Sequence, residues 1–485
     1  MTEAFQAKLE AVLTRRIPGF LGLLSAERLS GGASQETYRL SIAVEDGGER
    51  LLALRRAPGG AAADRDGSRD GGPVSYHPGL AAEALLMQSA QAVGVPEPDV
   101  HYVLTDDDGL GDGFIMTWLA GECLGARIVR APELADIRPK LAYQCGQILA
   151  RIHAIDLAAT GLDKRLDRLT PEQYVRGTWD RYKGFKTPQP MIDYTARWLL
   201  GHLPGEVEMA LVHNDFRNGN LMISPAGVVA VLDWEVAHIG DPMRDLGWIC
   251  TNSWRFGRSD LPVGGFGRYD DLFAGYQSVS GRAVDPERVK FWEVFGSFWW
   301  AIGCLGMAEH YRTGPDKTVE RPAIGRRTSE CQVDCVNHLI PGPVALAQGV
   351  DPSTGQEMPR IDELLTSVRD FLHGGVMAET SGRTNFMARV AGNSLDIVLR
   401  DQTLGPAQRR LERERLAALF SSDDSLENLR WRLVNGLRTG EIPLDHPGLD
   451  LHLRHTVVNQ VAIDQPKYAG FQTAIQSRFR PLKSL

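Results

Sequence analysis

The chain has 485 residues, 43% of them hydrophobic and 24% charged, which suits a globular protein of two or three domains rather than one core. A net charge of −8, from 53 basic and 61 acidic residues, argues against an extended nucleic-acid surface. The six cysteines (Cys123, Cys145, Cys250, Cys304, Cys331 and Cys335) form no CxxC pair, so free thiols are expected and a zinc site is not.

Residues 4–16 have helical spacing through Phe5, Leu9, Val12 and Leu13. This amphipathic, mixed-charge N-terminus does not read as a signal peptide. Strand-like runs at 26–29 and 37–44 flank LSGGASQETY (29–38). Its Gly31-Gly32 turn, with Ser34 beside it, leaves backbone N–H groups free of Cβ obstruction, as a phosphate-covering hairpin requires. The strand at 51–56 reads LLALRR, and alternation puts Ala53 and Arg55 on one face. Residues 59–79 are rich in Gly, Asp, Arg and Ser and read as a loop. A helix is expected over 80–93, with Glu83 in its first turn facing Arg55, and two further strands over 99–104 and 114–118.

A long helix is predicted over 132–156, with Leu141, Cys145, Ile148, Leu149 and Ile152 on one stripe and His153 as a packed or capping residue near its end. Helices over 172–184 and 191–203 bring Tyr182, Lys183 and Lys186 as candidate pocket residues. Short strands are then expected at 209–212, 221–224 and 228–232. They frame the stretch LVHNDFRNGNLMISPAGVVAVLDWEVAHIGDPMRD (211–245), in which Asp215, Asn220 and Asp233 each sit beside a strand end. Phosphoryl transfer asks for this kind of set: one carboxylate near the incoming hydroxyl, and an Asn with a second Asp to hold a metal on the phosphates. Asp241, just before Pro242, is expected to cap the next helix.

Helices over 268–280, 286–312 and 319–339 follow. The apolar run 294–308 is too short for a bilayer, which needs about 20 residues, and reads as a buried helix, with Trp292, Phe295, Phe298, Trp299 and Trp300 as core rather than as one wall of an acceptor site, the alternative. Residues 341–359 read as a linker. Ile361, Leu364, Leu365, Val368, Phe371 and Leu372 then open an amphipathic helix, and more helices are expected at 383–400, 406–420, 425–439 and 447–463.

His-x-Asp-x-x-x-x-Asn (213–220), followed after a hairpin by Leu-Asp-Trp-Glu (232–235), resembles the core of the aminoglycoside phosphotransferase family, whose fold is protein-kinase-like. The resemblance implies an α+β fold with a small β-rich N-lobe (1–118) and a helical C-lobe (119–340), then the linker (341–359) and an all-α domain (360–485). That last part is similar to an uncharacterised helical extension found behind bacterial phosphotransferase-like domains. The resemblance implies Asp215 as the residue that orients the acceptor and takes its proton. Asn220, Asp233 and Glu235 become candidate Mg²⁺ ligands. Arg217 is a γ-phosphate contact, and His213, grouped with the catalytic residues, buttresses the loop. It also implies nucleotide contacts from Gly31, Gly32, Ser34, Arg55, Glu83, Met116 and Trp118. Arg55 stands where protein kinases carry lysine, and no lysine lies between Lys8 and Lys140. Asn214 replaces the more usual Gly of His-Gly-Asp and tolerates left-handed backbone. Asp245 resembles the acid that braces the catalytic loop.

The expected activity is Mg²⁺-dependent transfer of the γ-phosphate of ATP or GTP to a small-molecule hydroxyl. The Leu-Arg-Arg and Leu-Asp-Trp-Glu-x-Ala pattern resembles kinase-like domains associated with acyl-CoA dehydrogenases, which suggests a hydroxyacyl thioester as acceptor. The alternative is a non-catalytic nucleotide- or metabolite-binding module. A protein kinase is disfavoured because no Ala-Pro-Glu segment follows Asp233. No nucleic-acid or membrane partner is expected, a homo-oligomer through the helical domain is, and the location is expected to be the cytoplasm.

Overall fold

The computed structural model describes residues 2–29, 35–45, 47–60 and 78–476. Helix α1 (Glu3–Arg16) begins where the Thr2 hydroxyl accepts the Phe5 N–H, a side-chain cap for an otherwise orphan donor. Strands β1 (Phe20–Arg28), β2 (Glu36–Val44) and β3 (Glu49–Arg56) follow. After helix α2 (Leu80–Ala92) come β4 (Val100–Val103) and β5 (Gly113–Thr117). The five strands form one antiparallel sheet in the order β1-β2-β3-β5-β4. Alternation sorts the side chains. Tyr38, Leu40 and Ile42 of β2 and Leu52 and Leu54 of β3 share a core with Leu9, Val12 and Leu13 of α1. Ala53 and Arg55 take the opposite face, in register with Met116 and Phe114 of β5.

Next come α3 (Gly125–Ile128), α4 (Arg138–His153), α5 (Leu157–Thr160), α6 (Pro171–Gly184) and α7 (Pro190–Gly201). The single helix expected over 132–156 is in fact a 3-10 turn at Pro132–Leu134 followed by α4. Pro139 is the physical reason: it fits the first turn of a helix, where its missing N–H has no partner to lose, and not the interior. Strands β6 (Ala210–Val212), β7 (Leu221–Ser224), β8 (Gly227–Val231) and β9 (His238–Gly240) make two small antiparallel pairs, β6 with β9 and β7 with β8. The three-residue β9 has no alternation to reveal it in the sequence. It is recruited by β6.

Helices α8 (Met243–Cys250), α9 (Tyr269–Ser280), α10 (Pro286–Thr313), α11 (Glu320–Arg326) and α12 (Thr328–Leu339) follow, so the helix expected over 319–339 is two, broken at Arg327. The tail contains α13 (Ile361–Asp370), a π-turn at Phe371–Val376, α14 (Met377–Glu379), α15 (Gly382–Phe420), α16 (Leu426–Thr439), α17 (Leu449–Asp464) and α18 (Ala469–Ile475). The two helices expected at 383–400 and 406–420 are one 39-residue helix that runs through Pro406, with an Arg409–Asp401 hydrogen bond of 3.0 Å spanning the proline. Helix α18 is not among the helices expected from the sequence.

The chain forms two compact units. One comprises residues 1–171, 205–250 and 254–292; the other comprises 172–204, 251–253 and 293–485. In the second, Met191 and Tyr194 of α7 and Val333 and Val336 of α12 share one core with Leu433 of α16 and Val457 of α17. Phe295 and Phe298 are buried, whereas Trp299 and Trp300 are only half-buried and so are not the core residues expected. Cys145, Cys250, Cys304, Cys331 and Cys335 are buried free thiols and Cys123 a half-buried one. No helix among the described residues is long and apolar enough to cross a membrane.

Candidate active site

The loop between β6 and β7 carries the motif, and α8 holds it from behind. Asp245, fully buried, accepts the backbone N–H groups of His213 (2.9 Å) and Asn214 (2.7 Å) and a hydrogen bond from His153 Nε2 (3.1 Å). Burial works against its ionisation, but the bonds from His153 and the His213 backbone outweigh that and hold the carboxyl below its ordinary range. Asn214 sits at φ +69°, the left-handed conformation that glycine adopts most easily and Asn tolerates, and its Nδ2 donates to the Val236 carbonyl. Asn218 Nδ2 donates to the Gly264 and Trp254 carbonyls, pinning the far side of the loop.

These anchors leave Asp215 half-buried, with both carboxylate oxygens engaged. Oδ1 accepts Trp248 Nε1 (2.8 Å) and Arg217 Nε (2.9 Å), and Oδ2 accepts Asn220 Nδ2 (2.6 Å). The Arg217 guanidinium lies 4.3 Å from the Trp254 ring centroid and also donates to the Asn218 carbonyl. His213 is fully buried, and both its ring nitrogens are committed. Nδ1 faces the Asp215 N–H (3.2 Å) and Nε2 the Leu232 carbonyl (3.2 Å), an arrangement that a neutral ring protonated at Nε2 satisfies. Burial also pushes its pKa down. It is therefore a positioning residue that buttresses the loop.

The β7–β8 hairpin brings the remaining acids alongside. The Leu232 N–H donates to the Asn220 carbonyl (2.8 Å), so Asn220 stands beside the residue that precedes Asp233. Asp233 also has φ +69°, a strained conformation for a residue with a Cβ. Its Oδ1 lies 2.6 Å from Arg55 Nη2, which is 3.1 Å from Glu83 and 4.0 Å from Glu235. Arg56, its neighbour, turns to the other face and pairs with Glu36. Burial raises the Glu83 carboxyl to about 7; Asp233 and Glu235 add to that rise and Arg55 opposes it. Trp234 is buried and donates to Glu97.

Asn220, Asp233 and Glu235 offer only oxygen donors, a set whose chemistry fits a hard divalent cation. Among the described residues, no three His, Cys, Asp or Glu side chains converge as a metal-holding group. Met116 and Trp118 are half-buried, Met116 on β5 opposite Ala53 and Trp118 N–H bonded to the Leu51 carbonyl. Gly31, Gly32 and Ser34 lie outside the described residues. Tyr182 is buried, its one O–H within reach of Asp193 Oδ2 (3.1 Å) and the Thr187 carbonyl (3.0 Å) while its oxygen accepts the Gln189 N–H, so its hydroxyl is structural; Lys183 pairs with Asp180 across one helical turn.

The sequence reading missed Trp248 and Trp254. A signal for Trp248 was present: it lies three residues after Asp245 on α8, one turn along, and so shares the face that braces the loop.

An antiparallel five-stranded sheet carrying a basic clamp, followed by a His-x-Asp loop and an Asp after a hairpin, defines a kinase-like phosphotransferase fold. Residues 25–282 match the phosphotransferase enzyme family (APH), and the chain belongs to that family. Residues 378–468 match a domain of unknown function, DUF6285. The chain is similar to acyl-CoA dehydrogenase family member 10 of Mus musculus, 32% identical over 259 residues that cover 51% of this chain and 22% of that protein. It is also similar to acyl-CoA dehydrogenase family member 11 of Gallus gallus, 30% identical over 262 residues that cover 50% of this chain and 30% of that protein. The chain thus spans less than a third of the length of these relatives. Among solved structures, a candidate aminoglycoside phosphotransferase from Ralstonia eutropha superposes with a TM-score of 0.54 at 22% identity, covering 68% of this chain and 97% of that one. At that identity it is the fold that is shared.

Proposed function

We propose that the protein transfers the γ-phosphoryl group of ATP or GTP to a hydroxyl of a small molecule, with Asp215 as the residue that receives the acceptor. The observation that carries this reading is the Asp215 carboxylate fixed by Trp248, Arg217 and Asn220 on a loop braced by Asp245. In the reaction the acceptor O–H breaks, its oxygen bonds to phosphorus, the bond to the β-phosphate oxygen breaks, and the proton passes to Asp215 late in a loose transition state. Arg217, half-buried beside Asp215, is proposed to offset phosphate charge. Arg55, fixed by Glu83, supplies a permanent cation that cannot deprotonate. Asn220, Asp233 and Glu235 are the residues proposed to hold Mg²⁺. Bound there, it would neutralise charge on the phosphates.

For the acceptor, a hydroxyacyl thioester is supported by the names of the relatives, which are acyl-CoA dehydrogenase family members. The test is nucleotide consumption by the purified protein across hydroxyacyl-CoAs, sugars, amino alcohols and aminoglycosides, with an Asp215→Ala control. Transfer is expected to fall by at least about a hundredfold while nucleotide affinity is largely kept. Equal turnover in the control removes Asp215 from this role.

One observation favours a second reading, a module that binds without transferring. Arg55 already neutralises Asp233 at 2.6 Å, where a metal-binding carboxylate is wanted. Mg²⁺-independent nucleotide binding with no transfer to any acceptor class would select it.

A further inference from the structure

Helix α13 has an apolar face that stands exposed among the described residues. The 3.2 Å Arg369–Asp396 ion pair ties it to α15, and its Leu365 and the following Leu372 are half-buried. The adjacent stripe points away. Ile361 is 63% exposed, Leu364 54%, Val368 51% and Phe371 64%. These four stand at i, i+3, i+7 and i+10, one line along α13 that Phe371, the first residue of the π-turn and still helical at φ −61° and ψ −42°, continues. Together they expose on the order of 400 Å² of apolar surface, the size at which a patch on a folded chain marks an interaction site.

We propose that this stripe is where two copies of the chain pair, α13 against α13. Three features select a second copy as the occupant. The stripe has heptad spacing, with β-branched Ile361 and Val368 at one seam position and Leu364 and Phe371 at the other. That is the division that favours two-stranded packing. The rim is close to neutral and satisfied within the chain. Over residues 360–372 two arginines face three carboxylates, with Arg360 bound to Asp362 and Glu363 and Arg369 to Asp370 and Asp396. A lipid surface or a nucleic acid calls for excess Lys and Arg beside the apolar line; a self-paired rim meets its own likeness without like-charge repulsion. Finally, doubled across a two-fold interface and extended by that rim, the buried surface reaches the ~1,000 Å² that a specific interface needs.

The experiment is light scattering and sedimentation of the full chain across the micromolar range, with two variants and their thermal melts. The wild type is expected to be dimeric. Leu364→Glu/Phe371→Glu is expected to be monomeric with unchanged helix content, because both positions are exposed in the single chain. Leu364→Ala/Phe371→Ala, which adds no charge, is expected to raise the dimer dissociation constant about tenfold or more, and it decides the matter if the glutamate variant fails to fold. A wild type that stays monomeric at the highest concentration overturns the proposal. So does a folded glutamate variant that stays dimeric. Binding of the monomeric wild type, but not the variant, to vesicles of mixed neutral and anionic lipid would assign the face to a membrane instead.

Discussion

Asp215 shows how little of a catalytic geometry its own side chain decides. Its two oxygens take three donors from two separate elements: Arg217 and Asn220 of its own loop and Trp248 from α8. Of these, Trp248 is the one whose indole is fully buried, so its N–H has a fixed direction. Trp248→Phe keeps an aromatic ring, a smaller one, and deletes the donor. If the proposed function holds, kcat is expected to fall about ten- to a hundredfold, with KM for the nucleotide nearly unchanged and the melting temperature within a few degrees of wild type. Steady-state kinetics with a thermal melt checks this. An unchanged kcat would leave Trp248 as core packing only. The left-handed residues Asn214 and Asp233 belong to the same scale. Asn214 could be suspected from its place in the motif, because Asn tolerates that conformation. Asp233 could not, because the strain is imposed by the hairpin before it and the turn after it.

Between elements, the contact that fixes α2 to β3 is the ion pair of Glu83 with Arg55. Glu83 is the costly partner, since it is buried among two further carboxylates, and its carboxyl is raised from the ordinary 4.5 to about 7. A carboxyl that is harder to ionise when folded contributes stability below its unfolded value, and that contribution is lost as pH rises through the folded one. Wild type is therefore expected to lose melting temperature between about pH 5 and pH 7 relative to Glu83→Gln, which does not titrate. Melts at matched ionic strength measure the gap, and parallel curves for the two proteins would contradict the assignment. Arg55 was legible because strand alternation separates it from Arg56, and Arg56 does turn to Glu36 instead. The breaks were not legible in the same way. α4 starts late because of Pro139, whereas α15 runs through Pro406, so proline alone did not say which helix would break.

Over the whole molecule, the tail's helices share a core with segments far earlier in the chain. Leu433, Leu437 and Val457 pack in one cluster with Met191, Tyr194, Val333 and Val336. Ending the chain after residue 340 would expose those earlier side chains, at about 1.5–3 kcal/mol each. Such a truncated chain is expected to be insoluble, or to melt at least about ten degrees lower than the full chain. A soluble fragment with an unshifted melting temperature would refute this.

What rests on local periodicity and residue identity was legible in the sequence: the strands around the motif, the helical tail and the strand face that Arg55 takes. These are legible because a strand face, a helix stripe and a motif spacing are properties of near neighbours. Tertiary structure alone decided that β9 exists, that Trp248 and Arg217 share one oxygen of Asp215, that His213 has no nitrogen left for proton transfer, and that α13 keeps an apolar line uncovered. Each of these depends on which distant segment arrives beside it, and burial and hydrogen-bond satisfaction are settled only when the chain has closed on itself.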